Sequence, residues 1–167
     1  MSESAPQELL QPSLLDRLTD NEPTKNVESR DQRVLSFRQL KISVMRDLNW
    51  LLNTGNLEAT EDLSSCPEIA ESVLNYGVRD LTGITSSSLN AQEIEKSIHQ
   101  AILRFEPRII PHSLRVTANI DTKQSSQNAV TFEIVADMWA QPLPEHLYLQ
   151  TKVDLETGNT EVVASAR

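Results

Sequence analysis

The chain has 167 residues, enough for one compact domain with a sizeable core and too few for a comfortable second one. Apolar residues make up 38% and aromatics only 4%, so the core must be built mainly from Leu, Ile and Val. A formal net charge of -9 repels phosphate backbones and anionic lipid, which argues against nucleic acid and against membrane surfaces as partners.

The first twelve residues are polar, acidic and punctuated by proline. They lack the basic and apolar regions of a secretory signal. Residues 13–18, SLLDRL, predict a short docking helix, with Ser13 as its cap and Asp16 at the reciprocating position. Residues 19–34 are charged and without period, and read as a flexible tether. Residues 1–34 are thus expected to form a tail, and 35–167 a single domain.

The first long helix is expected over about 36–53. Ser36 and Gln39 suit its capping box, and Leu35 with Leu40 its staple. Leu40, Val44, Leu48 and Leu51 recur at helical spacing, and Gly55 can take the left-handed position after the last turn. A second helix is expected from Cys66 to Tyr76, with Ser65 and Glu68 as capping pair and Ile69, Val73 and Leu74 as buried stripe. Gly77 or the turn after it closes that helix, and Leu81–Ile84 reads as an apolar loop. The third helix has Asn90 as cap, Glu93 as its partner, and Ile94, Ile98, Ala101, Ile102 and Phe105 on one face. Pro107 lacks an N–H and disfavours helical geometry at Glu106, so the helix must stop at about Phe105.

Beyond Arg108 the hydrophobic period changes to two. Leu114, Val116, Ala118 and Ile120 form one alternating run, and Val130, Phe132, Ile134, Ala136 and Met138 another. Leu147, Leu149, Thr151 and Val153 form a third, and a short strand near 160–164 follows a turn at 156–159. One apolar and one polar face per strand means an antiparallel sheet covered on one side. The expected fold is α+β: three main helices packed on one face of a three- to four-stranded antiparallel sheet. Its last strand lies at an edge, with little protection against pairing with another chain.

Chemistry is sparse. The single cysteine, Cys66, excludes an intrachain disulfide and a thiolate cluster. It sits in the first turn of the second helix with no histidine near in sequence. His99, His112 and His146 show no metal-ligand spacing, and His99 borders the apolar face of its helix. No phosphate-cradling glycine motif occurs. No cofactor is therefore expected. Arg46 with Asp47, and Arg79 with Asp80, read as surface charges, and the first two diverge as helical neighbours do. Trp139, beside Pro142 and Pro144, either caps the core or stands exposed as an anchor in a contact.

The most pointed feature is Glu106-Pro107-Arg108. In extended chain, positions two apart point the same way, so Glu106 and Arg108 can share a partner patch or close an internal ion pair; the pattern alone equally fits a helix stop with two solvated charges. Glycoside hydrolysis needs two carboxylates across a cleft. Glu95, the nearest upstream acid, is eleven residues from Glu106 and three helical turns away, so no enzyme is expected. A lysozyme-like hydrolase acting on peptidoglycan and a free-standing binding module are the alternatives to a structural subunit.

Four segments in order, SLLDRL at 13–18, SVMRDLNWLLNTG at 43–55, SVLNYGVRDLTG at 72–83 and EIEKSIHQAILRFEPRI at 93–109, resemble the TssE family. These are the small baseplate subunits of type VI secretion systems, similar to wedge proteins of contractile phage tails and once labelled lysozyme-like. The resemblance runs over roughly residues 13–155. The family's Glu-Pro-Arg falls on Glu106, Pro107 and Arg108, and Ile109 stands where Leu is common. The resemblance implies a role in assembly and no catalysis. It implies TssF, TssG and the first ring of sheath subunits as partners, with strand pairing in trans as the mode of connection. It also implies a cytoplasmic assembly docked to the inner membrane complex.

Overall fold

A computed structural model describes residues 13–19, 23–24, 37–79, 90–119, 129–139, 144–154 and 157–164. The expectations for Leu35, Ser36, Asp80, Leu81–Ile84, Ile120 and Pro142 lie outside these residues.

Among the described residues there are four α-helices: α1 (Leu14–Leu18), α2 (Phe37–Leu52), α3 (Pro67–Ala70) and α4 (Ala91–Phe105). Four strands follow: β1 (Arg115–Asn119), β2 (Ala129–Met138), β3 (Glu145–Asp154) and β4 (Thr160–Ala164). The strands pair antiparallel in chain order, β1-β2-β3-β4, so among the described residues β1 and β4 are the two edges.

The alternation read from the sequence sets the core. Val130, Phe132, Ile134, Ala136 and Met138 of β2 are all buried, as are Leu147, Leu149, Thr151 and Val153 of β3. Register places Phe132 opposite Thr151 and Ile134 opposite Leu149. Thr151 keeps a hydroxyl in this apolar layer because Oγ1 donates to the Phe132 carbonyl at 3.2 Å. Leu40, Val44, Leu48 and Leu51 of α2 and Ile94, Ile98 and Ile102 of α4 cover the same face. Helix α4 lies over β1 and α2 over β4. Each fully buried side chain of this size contributes roughly 1.5–3 kcal/mol.

The expected α+β packing of helices on one sheet face is present; among the described residues α2 and α4 are its long helices, and α3 is short. The segment expected as one helix over 66–76 breaks into α3 and a 3₁₀ turn at Val73–Asn75. The cause is Ser72: its hydroxyl donates to the Ile69 carbonyl and accepts from the Leu74 N–H, replacing helical bonds with local ones. Of the expected stripe, Val73 and Leu74 are turned out, at 78% and 66% exposure, and Ile69 is half-buried. What is buried instead is polar. Asn75, 2% exposed, donates to the Ala70 carbonyl at 3.0 Å and accepts from the Glu58 N–H at 3.0 Å. Cys66 is the exposed residue preceding α3, and no side chain caps that helix, so Ser65 and Glu68 do not act as a capping pair.

The left-handed position falls at Gly77, with φ 122°, and not at Gly55. Asn53 instead links α2 to the sheet. Its Nδ2 donates to the Thr160 carbonyl at 2.7 Å, and its Oδ1 accepts the Thr160 N–H at 2.8 Å. Asn90 precedes α4 and bonds the Glu93 side chain at 2.8 Å rather than the backbone. Among the described residues, no helix is long and apolar enough to cross a membrane.

Candidate functional site

Helix α4 ends where the proline rule requires. The Glu106 N–H still bonds the Ile102 carbonyl at 2.9 Å, and the chain then turns out of the helix at φ -120°, ψ 82°. The turn after it adds to the end of β2. Trp139 N–H donates to the Arg108 carbonyl at 2.8 Å, Ile110 N–H donates to the Asp137 carbonyl at 2.8 Å, and Ile109 bridges to Met138. Ser113 Oγ accepts the Asp137 N–H at 2.8 Å and fills the gap left by the 3₁₀ turn at Pro111–Ser113. Helix stop, sheet end and Glu-Pro-Arg are therefore one junction.

Glu106 is 3% exposed. A buried carboxylate needs a cation with good geometry, and Arg108 supplies it. Arg108 Nε donates to Glu106 Oε1 at 2.6 Å, Nη2 contacts Oε2, and the Arg108 backbone N–H donates to Oε1 at 3.1 Å. This is a two-pronged, charge-assisted pair closed over a proline-fixed turn.

The pair is one end of a longer chain of charges. Arg108 Nη2 also reaches Asp47 Oδ2 at 2.6 Å. Asp47 Oδ1 accepts from Arg46 Nε at 2.9 Å, and Arg46 Nη1 meets Asp16 Oδ1 at 2.6 Å. Ser13 Oγ donates to Asp16 Oδ2 at 2.6 Å, and the Asp16 N–H in turn donates to Ser13 Oγ at 3.3 Å. Arg46 and Asp47 thus bond each other, contrary to the expectation that adjacent helical residues diverge. The arginine stem is long enough to fold back, and its guanidinium also lies 5.1 Å from the ring centre of Trp50. Helix α1 is held to α2 through Asp16, while Leu14, Leu15 and Leu18 remain exposed.

Burial and the acids Glu106 and Asp47 act on Arg108 in opposite senses. Burial lowers its pKa, but hydrogen bonds and charge from the two acids raise it overall, so it stays a fixed cation. Burial raises the Asp16 pKa, yet hydrogen bonds from Arg46, Ser13 and Ser43 and the Arg46 charge outweigh it and hold the carboxyl at about 2. A depressed carboxyl stabilises the fold above its unfolded pKa and loses that contribution as pH falls through its folded value. Wild type should therefore exceed Asp16→Asn in stability by about 1 kcal/mol at pH 6, after allowance for solvent screening. That advantage should vanish between pH 4 and pH 2. Urea melts of both proteins check it, and an advantage independent of pH over that window would rule the ion pair out as its source.

A cavity of about 410 Å³ opens beside the junction, walled by Trp50, Tyr76, Phe105, Pro107 and Arg108. Tyr76 and Phe105 meet edge to face, with centroids 5.1 Å apart. Burial, followed by the charges of Asp47 and Glu106, pushes the Tyr76 hydroxyl up from its ordinary value. Trp139 is 55% exposed, so it does not cap the core; it stands next to Arg108 at the sheet end. The structure brings Glu106, Pro107, Arg108 and Trp139 together. It adds Asp47, Arg46 and Asp16, which sequence reasoning missed as a set.

His146, exposed, contacts Asp137 at the end of the sheet; among the described residues no cluster of His, Cys, Asp or Glu could hold a metal. The family model of the baseplate wedge protein gp25 matches residues 38–143, well over half of the chain. The chain belongs to the baseplate wedge protein gp25 family. It is a structural subunit of baseplate type, not an enzyme. No curated protein and no solved structure matches it. The matched segment includes α2 from its second residue on, α4, the Glu-Pro-Arg turn and β2.

Proposed function

We propose that this wedge subunit serves the baseplate of a type VI secretion system, where it joins the wedge subunits TssF and TssG to the first ring of the contractile sheath. The assembly stands in the cytoplasm, docked to the inner membrane complex. The working unit is one domain of residues 35–167, preceded by a tail of residues 1–34. The Glu106-Pro107-Arg108 turn, with Trp139 beside it, faces the wedge partners. The sheath pairs with the sheet.

The observation that carries this reading is the state of β4. Asn53 takes both backbone groups of Thr160, so Thr160 faces away from β3. Alternation along the strand then turns the N–H and C=O of Val162 outward as well. Among the described residues nothing bonds them. An open edge of this kind accepts an extended segment of another chain.

Val162→Pro removes the outward N–H and leaves the bonds to β3 in place, a substitution an edge strand tolerates. Pull-down with purified partners should show sheath capture falling at least about tenfold, equivalent to about 1.4 kcal/mol, with wedge capture unchanged. Full sheath capture by a folded Val162→Pro protein would reject pairing at β4.

A further inference from the structure

We infer that Glu95 is an edge guard: its carboxylate closes β1 to strand pairing, so the sheet is open on one side alone. Which side stays open rests on the reading of β4 given above; the closure of β1 does not.

The Ala118 N–H donates to Glu95 Oε1 at 2.6 Å. Ala118 sits opposite Phe132 in the register of β1 with β2. Because its N–H leaves the sheet, the backbone groups of Arg115, Thr117 and Asn119 point toward β2, and those of Val116 and Ala118 point outward. The outward row of β1 therefore has two positions. Glu95 holds one. The other is Val116, three residues after the 3₁₀ turn at Pro111–Ser113 and two before Ala118, so a pairing strand would have this one position to hold.

The two edges are finished differently. At β4 the Asn53 amide both donates to and accepts from Thr160, as a peptide group of a neighbouring strand would. It is neutral, and it leaves Val162 in register for a strand to continue. At β1 the group is an anion with acceptors only. An incoming strand must present a carbonyl where that carboxylate stands, and acceptor would face acceptor. Inward-turned or covering charge is a general means of blocking an edge. The placement of Glu95 is fixed from behind: Ile94, next to it, is buried in the core, and α4 lies along β1.

Glu95 could serve simply to fasten α4 to the sheet. Three variants and one measurement on wild type separate the two roles. Glu95→Ala should gain self-association through β1, with the dimer constant measured by sedimentation rising at least about tenfold over wild type. Glu95→Gln keeps an acceptor for Ala118 but replaces the anion by a neutral amide, as Asn53 is at β4, and should self-associate more than wild type and less than Glu95→Ala. Ala118→Pro in the Glu95→Ala background removes the exposed N–H and should restore wild-type sedimentation. In wild type itself, the Ala118 amide should exchange with solvent at least about tenfold more slowly than that of Val116, since among the described residues only the former is bonded.

Glu95→Ala that folds, melts lower and sediments as wild type would overturn the guard, as would association that survives Ala118→Pro. Equal exchange at Ala118 and Val116 would overturn it even if the Ala variant failed to fold. The two readings fail separately. Unchanged sheath capture by Val162→Pro rejects the β4 reading and leaves the Glu95 results standing, and the reverse pattern rejects the guard alone.

Discussion

Arg108→Ala should lower the stability of the folded domain by about 3–5 kcal/mol, because it strands a buried carboxylate. Glu106 is 3% exposed, and Arg108 supplies its bonds to a guanidinium, through Nε and Nη2. Asp47 loses a partner at 2.6 Å in the same step. The backbone N–H of residue 108 survives the substitution, so the carboxylate keeps one bond and the loss is not total. Urea denaturation at pH 7 checks the number. A second variant isolates the cause: adding Glu106→Gln to Arg108→Ala removes the stranded charge and should recover at least about 1 kcal/mol. A midpoint within experimental error of wild type for Arg108→Ala would show that the pair contributes nothing to the fold. Folded Arg108→Ala protein with weakened capture of wedge partners would instead place part of the guanidinium's work at the interface.

The choice between an internal pair and a partner patch is legible in the sequence, and the reasons are local. Pro107 dictates the helix stop, and the i to i+2 relation puts Glu106 and Arg108 on one side. Strands β2 and β3 are legible in the same way, since five and four alternating core residues leave one register of faces. Contacts between distant residues are not legible. Asp16 and Arg46 are thirty residues apart, and nothing in either neighbourhood specifies the other. Arg46 next to Asp47 reads as two solvated charges because helix geometry separates Cβ directions; a side chain with four rotatable bonds is not bound by that rule. The break at Ser72 is hidden for another reason. Ile69, Val73 and Leu74 have helical spacing, but Asn75 gains a buried network with Ala70 and Glu58 that the helix would forfeit. Capping pairs and stripes report local preference, and here a tertiary polar site outweighs them.

Gly77→Ala should be the second severe substitution, at about 2–4 kcal/mol, through strain and lost backbone bonds. Gly77 has φ 122°, a conformation that residues with a Cβ rarely adopt. A Cβ there would lie 2.2 Å from the Thr54 carbonyl oxygen and 2.9 Å from its carbon. Both are backbone atoms, so relief requires the chain to move. The movement is opposed by the Val78 N–H bond to Thr54 at 2.9 Å and the Asn56 N–H bond to Val78 at 3.0 Å. Those bonds close the loop that leaves α2 and returns at Val78. Tyr76, next to Gly77, packs on Phe105 at the edge of the Glu-Pro-Arg turn. Strain at Gly77 therefore reaches the junction through one ring contact. Gly55→Ala is the matched control, because its added Cβ meets nothing within 4 Å and its φ is not positive. It should stay within about 0.5 kcal/mol of wild type, as surface substitutions away from strained backbone do. Urea melts of the two variants should differ by at least about 1.5 kcal/mol, with Gly77→Ala the weaker. Equal midpoints would mean that the loop relaxes freely and that Tyr76 holds its place without the Gly77 turn. The expected ordering would instead tie the stability of the Glu-Pro-Arg junction to a backbone conformation twenty-eight residues upstream of Phe105.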